Sequence, residues 1–360
     1  MLSRLRDVWT MFRIAGYSDT VGLWRHSKTL ASSVRNHIVL DVLIALEKCG
    51  LLAELGTQHG VTPAALAGFD PVQLEAALEY LTEAEILEQL GRGRFRVRKL
   101  REFPRLRSAV YAAMAYNQPI RQLHRLIRGD ERYGVGISRD DQYDAMASED
   151  ITSRFYYGFT MRALLATNCA SVLDLGCGTG AFPAYLARHT DLRELTGVDV
   201  SDRAIAEGRR RGYESGPVRL LVGDAMALEI TAAKLKNAPE IVSMMFVLHE
   251  FDDEGVGRIL GSVHRAFPLA RILLTEMILR QTEEALARNS TALPELRYVH
   301  QLSRQVVRSR DEWVRLFDRS SYRLDRRDEH QLSSTQCLVF SPSNAGAMRR
   351  RAESTPRGGS

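Results

Sequence analysis

The chain has 360 residues, enough for two domains with sizeable cores, and its 45% hydrophobic and 26% charged residues are the mixture of a soluble globular protein. No window approaches the ~20 apolar residues of a transmembrane helix, and the opening MLSRLRDVWTMFR is broken by charges where a signal peptide needs an apolar core, so a cytoplasmic protein without membrane contact is expected. The net charge is +5, but residues 349–360 hold four arginines against Glu353; the remainder, about +2, is too weak to imply a polyanionic partner.

In chain order, residues 1–30 read as an amphipathic helix with Leu5, Val8, Trp9, Phe12 and Ile14 apolar. Residues 34–54 continue helical until Gly50 and Gly56. Thr62–Pro63 and Asp70–Pro71 each set a capping side chain before a proline, predicting helices 63–67 and 71–83. Residues 85–98 predict a small hairpin turning at Gly91 and Gly93. Helices followed by a hairpin are the pattern of a winged helix, assigned to residues 1–104. Its groove-entering helix would be PVQLEAALEYLTEAE, with Glu75, Glu79, Glu83 and Glu85 and no basic residue. Phosphate and base contacts need the opposite charge, so nucleic acid is not expected, and a dimerisation and substrate-lid role fits better.

Residues 105–165 read as bridging helices, interrupted near Gly129 and Gly134–Gly136. Residues 166–343 alternate strand and helix, with strands expected at 171–175, 194–199, 218–222, 240–247, 270–276 and 335–341. The alternation predicts an α/β, Rossmann-like, doubly wound and mostly parallel sheet. Residues 344–360 read as a disordered basic tail. Cys49, Cys169, Cys177 and Cys337 form no CxxC pair, so reduced thiols are expected rather than a disulfide framework.

The first strand of the alternating part runs into a glycine-rich turn, Ser171-Val-Leu-Asp-Leu-Gly-Cys-Gly-Thr-Gly180. Glycines let a backbone approach a ligand closely, and a following helix N-terminus favours negative groups. A lone turn of this kind also suits dinucleotides, but three acids sharpen it. Asp174 precedes the glycines, Asp199 ends the second strand where an acid can accept ribose hydroxyls, and Asp224 ends the third where an acid can accept an adenine amino group. The lack of G-x-G-x-x-G argues against a nicotinamide cofactor.

Residues 166–342 resemble the class I methyltransferases. The resemblance implies S-adenosylmethionine as cofactor, with Gly176, Gly178 and Gly180 around its methionine part, Asp199 at the ribose, and Asp224 and Met226 at the adenine. The fourth strand ends Phe246-Val-Leu-His-Glu, so His249 and Glu250 fall outside the carboxyl ends of the strands, where ligands of such sheets bind. With the winged N-terminal part, this resembles the small-molecule O-methyltransferases, usually homodimers, in which the matching histidine is a general base.

Residues 293–308 read as a helix with Leu293, Leu296, Val299 and Val306 inward and His300 at the edge of that face. A second histidine beside His249 resembles a narrower group, the 2-oxo-acid C-methyltransferases acting on phenylpyruvate and 2-ketoarginine. That resemblance implies His249 and His300 as ligands of one divalent or trivalent metal ion, iron or zinc, and a 2-oxo acid methylated at C3. The group's Gly-x-x-Arg-Tyr-Gly segment matches Gly129 to Gly134 here and implies Arg132 at the substrate carboxylate, which suits its planar fork. Glu250 is then an orienter, a third ligand or the C3 base. Asp140, Asp141, Asp144, Glu149 and Asp150 are candidates for a guanidinium side chain, and Phe155, Tyr156, Tyr157 and Phe159 for an aromatic one. Two alternatives stay open: a metal-independent O-methyltransferase using His249, and a silent dimeric module that only binds S-adenosylmethionine.

Overall fold

The computed structural model describes residues 31–91, 93–278, 294–330 and 333–343. The expected amphipathic helix of residues 1–30, Leu293 and the basic tail 344–360 lie outside the described residues. The chain divides into two compact units, Met1–Ala113 and Met114–Ser360.

In the first unit, α1 covers residues 31–48. It is followed by α2 (Leu51–Leu55), α3 (Pro71–Glu83) and a hairpin of β1 (Leu87–Leu90) and β2 (Arg94–Val97). Asp70 caps α3 as expected, accepting hydrogen bonds from the Val72 and Gln73 amides. Thr62 differs: its side chain makes no cap bond, and the segment behind it is a single 3₁₀ turn, Pro63–Ala65. Leu52, Leu55, Leu78, Leu81, Leu87 and Phe95 form the buried centre. The opposite face of α3 presents Glu75, Glu79 and Glu83 to solvent. Helix α4 (Phe103–Ala115) runs from this unit into the next.

The second unit opens with α5 (Asn117–Arg121), α6 (Leu123–Arg128), α7 (Asp141–Phe155) and α8 (Tyr157–Leu165). Strand and helix then alternate: β3 (Ser171–Leu175), α9 (Ala181–His189), β4 (Glu194–Asp199), α10 (Asp202–Arg210), β5 (Val218–Val222), α11 (Leu228–Ala232), β6 (Ile241–Met245), α12 (Asp253–Ala266) and β7 (Arg271–Met277). After α13 (Pro294–Leu302) and α14 (Arg310–Arg319) come β8 (Tyr322–Glu329) and β9 (Thr335–Pro342).

The seven strands lie in the order β5-β4-β3-β6-β7-β9-β8. β3 to β7 pair in parallel, and β9 is antiparallel to both neighbours. Central parallel strands are covered on both faces and read as continuous apolar runs. One face packs Val242, Met244, Ile259, Val263 and Trp313; the other packs Leu164, Phe182, Leu186, Ile205 and Leu273. Each such fully buried side chain stabilises the fold by about 1.5–3 kcal/mol relative to exposure. The expected strands are all present to within a residue or two. β8 was not expected. Its sequence, YRLDRRDE, is highly charged because it is the edge strand, where charge also discourages further pairing.

The expected helix 293–308 ends at Leu302. Arg304 takes the left-handed conformation with φ 58°, and the Gln305 amide donates back to the His300 carbonyl at 2.9 Å. This is a helix-terminating motif usually built on glycine. Val306 therefore lies in a loop, not on an inward helix face. No helix among the described residues is long and apolar enough to cross a membrane.

Candidate active site

Strand order reverses at β3, whose neighbours are β4 on one side and β6 on the other. The crevice beyond the carboxyl ends of these strands is the ligand site of such sheets. The glycine-rich turn sits there. Gly176 has φ 69° and Gly180 φ 81°; a Cβ on Gly176 would come within 2.4 Å of the Val247 side chain, and one on Gly180 within 2.3 Å of Leu220. Neither position admits a side chain, so the turn leaves bare backbone at the head of α9.

Asp174 is 3% exposed at the end of β3, and its Oδ1 has no hydrogen-bond partner among the described residues. Burial pushes its pKa up to about 7, with Ser243 alongside pulling it down and the Asp199 charge adding to the rise. An orphaned buried acceptor is costly, and a ligand ammonium group would satisfy it. Asp199 ends β4. Its Oδ2 accepts from the Gly178 amide at 2.8 Å and its Oδ1 from the Ser201 amide at 2.9 Å. Burial raises its pKa, and these two amide bonds oppose the rise. Each oxygen keeps a second lone pair for a ribose hydroxyl. Asp224 is exposed beyond β5 and holds the Met226 amide at 2.8 Å, while half-buried Met226 packs against the core. The cradle thus fits the cofactor the sequence implies: glycine backbone, an unmet carboxylate, and acids at the ends of β4 and β5.

Beside this cradle, the short turn after β6 carries His249, 6% exposed. Its backbone N–H donates to Glu276 Oε1 at 3.2 Å, and Nδ1 lies 2.9 Å from Glu276 Oε2. A carboxylate can only accept, so Nδ1 carries a proton, and in the neutral ring Nε2 is the free lone pair. Burial alone would lower the His249 pKa; Glu276, 1% exposed at the end of β7, more than offsets this and raises it. His249 Nε2 is 3.6 Å from Glu250 Oε1. The His300 ring lies 5.9 Å from the His249 ring, centroid to centroid. Burial, reinforced by His249, lowers the His300 pKa to about 4, so this imidazole is neutral at neutral pH.

Glu250 Oε1 accepts from Arg139 Nη1 at 2.9 Å and from Gln305 Nε2 at 2.5 Å. Arg139 also reaches Asp144 Oδ2, at 3.3 Å from Nε. Burial drives the Asp144 pKa up to about 6, against the pull of Arg139. Buried Arg308 fixes the loop that carries Gln305: it donates to the Phe251 carbonyl at 2.8 Å and lies 4.8 Å over the Trp313 ring.

The structure therefore brings together Asp174, Gly176, Gly178, Gly180 and Asp199 in one place, and His249, Glu250 and His300 in another beside it. Arg132 is exposed in the turn between α6 and α7. The arginine at the histidines is Arg139, seven residues later. Of the five candidate acids, Asp144 feels the His249 charge and Asp141 lies 3.8 Å from Arg139. Asp140 caps α7 and pairs with Arg203, and Asp150 pairs with Arg154. Arg139, Glu276 and Gln305 escaped the reading of the sequence as site residues. Glu276 had a signal: an acid ending the buried run ILLTEM, beside the strand that leads to His249.

Residues 172–268 match the methyltransferase domain family. An uncharacterised protein of Synechococcus sp. is 29% identical over 123 residues, 32% of this chain and 29% of that protein. The chain thus matches less than a third of the length of this curated relative. Among solved structures, the mitomycin 7-O-methyltransferase aligns with a TM-score of 0.63 at 17% identity, covering 90% of this chain and 99% of that one. Human N-acetylserotonin methyltransferase, solved with S-adenosylmethionine, aligns with a TM-score of 0.62 at 15% identity, covering 88% and 97%. These likenesses extend over both the helical N-terminal part and the sheet. Residues 172–268 thus match a methyltransferase domain, within a fold shared with methyltransferases, one of them solved with S-adenosylmethionine.

Proposed function

We propose that the protein transfers the methyl group of S-adenosylmethionine to C3 of a small 2-oxo acid. The observation that carries this reading is the second imidazole. His300 is neutral and 5.9 Å from His249, while Glu276 fixes His249 with Nε2 as its open donor atom. A carboxylate behind a histidine is the usual support of a metal-ligating imidazole. His249 and His300 would hold an iron or zinc ion. Among the described residues no group of three or more His, Cys, Asp or Glu is placed to hold a metal, so further ligands would come from the carboxylate and keto oxygens of the acceptor. When bound, the ion supplies Lewis acidity that makes the C3 proton of a chelated 2-oxo acid removable.

The chain's own residues do the rest. Glu250, which accepts from Arg139 and Gln305, would take the C3 proton. The C3 electron pair forms the new C–C bond to the methyl carbon. The S–CH₃ bond breaks, and its electrons stay on sulfur as S-adenosylhomocysteine. Arg132 remains the proposed partner of the substrate carboxylate. Homodimer formation belongs to the same reading and is tested by light scattering.

One observation favours a second reading. His249 backed by buried Glu276 is also a general-base pair, and with a hydroxyl acceptor Nε2 would take the hydroxyl proton without a metal. Elemental analysis of the purified protein, with methyl transfer assayed on 2-oxo acids and on phenols with and without a chelator, separates the two. About one metal per chain and chelator-sensitive methylation of a 2-oxo acid is the expected result. Phenol methylation indifferent to chelator would replace it with the second reading.

A further inference from the structure

Helix α7 lies against the cofactor cradle. A Cβ on Gly178 would stand 3.2 Å from the Ala145 Cβ. One turn earlier, the Asp141 charge acts on Asp199. One turn later is Glu149. Residues 141, 145 and 149 share a helix face, and that face covers the turn.

Glu149 gathers three donors onto one carboxylate. Its Oε2 accepts from Thr179 Oγ1 at 2.8 Å and from Arg211 Nη1 at 2.9 Å, and its Oε1 accepts from Tyr213 Oη at 2.6 Å. Thr179 is part of the glycine-rich turn and 2% exposed. Arg211 and Tyr213 follow α10, the helix after Asp199, and Arg211 is also gripped by Glu207 at 2.7 Å. At the other end, Arg203 of α10 donates to Asp140 at 2.9 Å and to Gln142 at 2.8 Å. Charge-assisted bonds of this kind are stronger than neutral ones, and a partly buried carboxylate with three donors is well satisfied. The bonds run from side chain to side chain, so they can open without unravelling either helix.

We propose that Glu149 is a positioning residue, a latch that holds α7 closed over bound S-adenosylmethionine. A ligand seated on Gly176, Gly178 and Asp199 lies under the 141–145–149 face, and it leaves when the contacts of Glu149 with Thr179, Arg211 and Tyr213 release. The same helix carries Asp144 toward Arg139 and His249, so closing the cofactor site also sets one wall of the acceptor site. The inference rests on the cofactor part of the proposed function and is independent of the acceptor.

The test is stopped-flow and calorimetric measurement of S-adenosylmethionine binding to the full chain. For Glu149→Gln, dissociation is expected to be about tenfold faster, with association nearly unchanged, as for the loss of one charge-assisted hydrogen bond. Tyr213→Phe, which leaves the glycine-rich turn untouched, should show a smaller change of the same sign. In the double variant the two effects should be less than additive, because both act on one carboxylate. Asp150→Asn breaks the neighbouring Asp150–Arg154 pair on the same helix and should leave dissociation as in the parent. If Glu149→Gln and Tyr213→Phe only lower the melting temperature and leave the dissociation rate alone, the latch is wrong. If Glu149→Gln does not fold, Tyr213→Phe against Asp150→Asn decides by the same readout. A parent protein that does not bind S-adenosylmethionine would instead overturn the cofactor reading.

Discussion

Glu276 and His249 come from adjacent strand ends and meet twice, through the His249 backbone amide at 3.2 Å and through Nδ1 at 2.9 Å. The double contact holds the imbedded ring in one tautomer and one orientation. Glu276→Gln should keep the shape and lose the charge. The His249 pKa should then fall, because the carboxylate that offsets burial is gone. We expect turnover to drop by about 10²–10⁴, the usual contribution of a positioned acid–base group, with S-adenosylmethionine affinity within about twofold of the parent. Initial rates across pH check this; under the general-base reading, the limb on which the imidazole loses its proton should move to lower pH.

His300→Ala should abolish metal binding and turnover on 2-oxo acids while leaving S-adenosylmethionine binding near normal, since His300 lies outside the glycine-rich cradle. Calorimetry with the cofactor and a metal assay on the variant test it. Full activity without metal would reduce His300 to a packing residue.

Asp174 makes the stability of the ligand-free fold depend on pH. Its folded pKa, about 7, lies above its ordinary 3.8. Between these values the unfolded chain has lost the proton and the native state keeps it, so stability falls as pH rises from about 4 to about 7 and levels off above. Thermal melts across this range should show the fall, and Asp174→Asn should remove much of it. S-adenosylmethionine should offset it at the upper end if its ammonium group meets Oδ1.

Arg139 and Arg132 separate a buried charge from an exposed one. Arg139→Gln strips Asp144 and Glu250 of their cation and should destabilise the protein by about 3 kcal/mol, the scale for breaking a largely buried pair. Arg132→Gln should change stability by no more than about 0.5 kcal/mol. An increase of KM for a 2-oxo acid with Arg132→Gln, which removes the guanidinium proposed to meet the substrate carboxylate, would support the proposed role. An unchanged KM would transfer that role elsewhere.

Much of the sheet, and the glycine-rich turn with the acids beside it, could be read from the chain because their determinants are local. β3 to β7 are apolar runs bounded by glycines and caps, and Asp174, Gly176, Gly178 and Gly180 follow one another in a single turn. Asp199 needs only the next strand. The cap of α3 is written in two residues, Asp70 and Pro71. Tertiary structure decided what local pattern does not encode. β8 is a strand because β9 offers it a pairing edge, although its residues are mostly charged. α13 stops at Leu302 because Arg304 adopts a conformation that a glycine would have advertised. Arg139 meets Glu250 across 111 residues of sequence, and Glu149 meets Thr179 across 30. A polar side chain buried in a folded protein needs a partner, and only the packing of distant segments determines which one it finds.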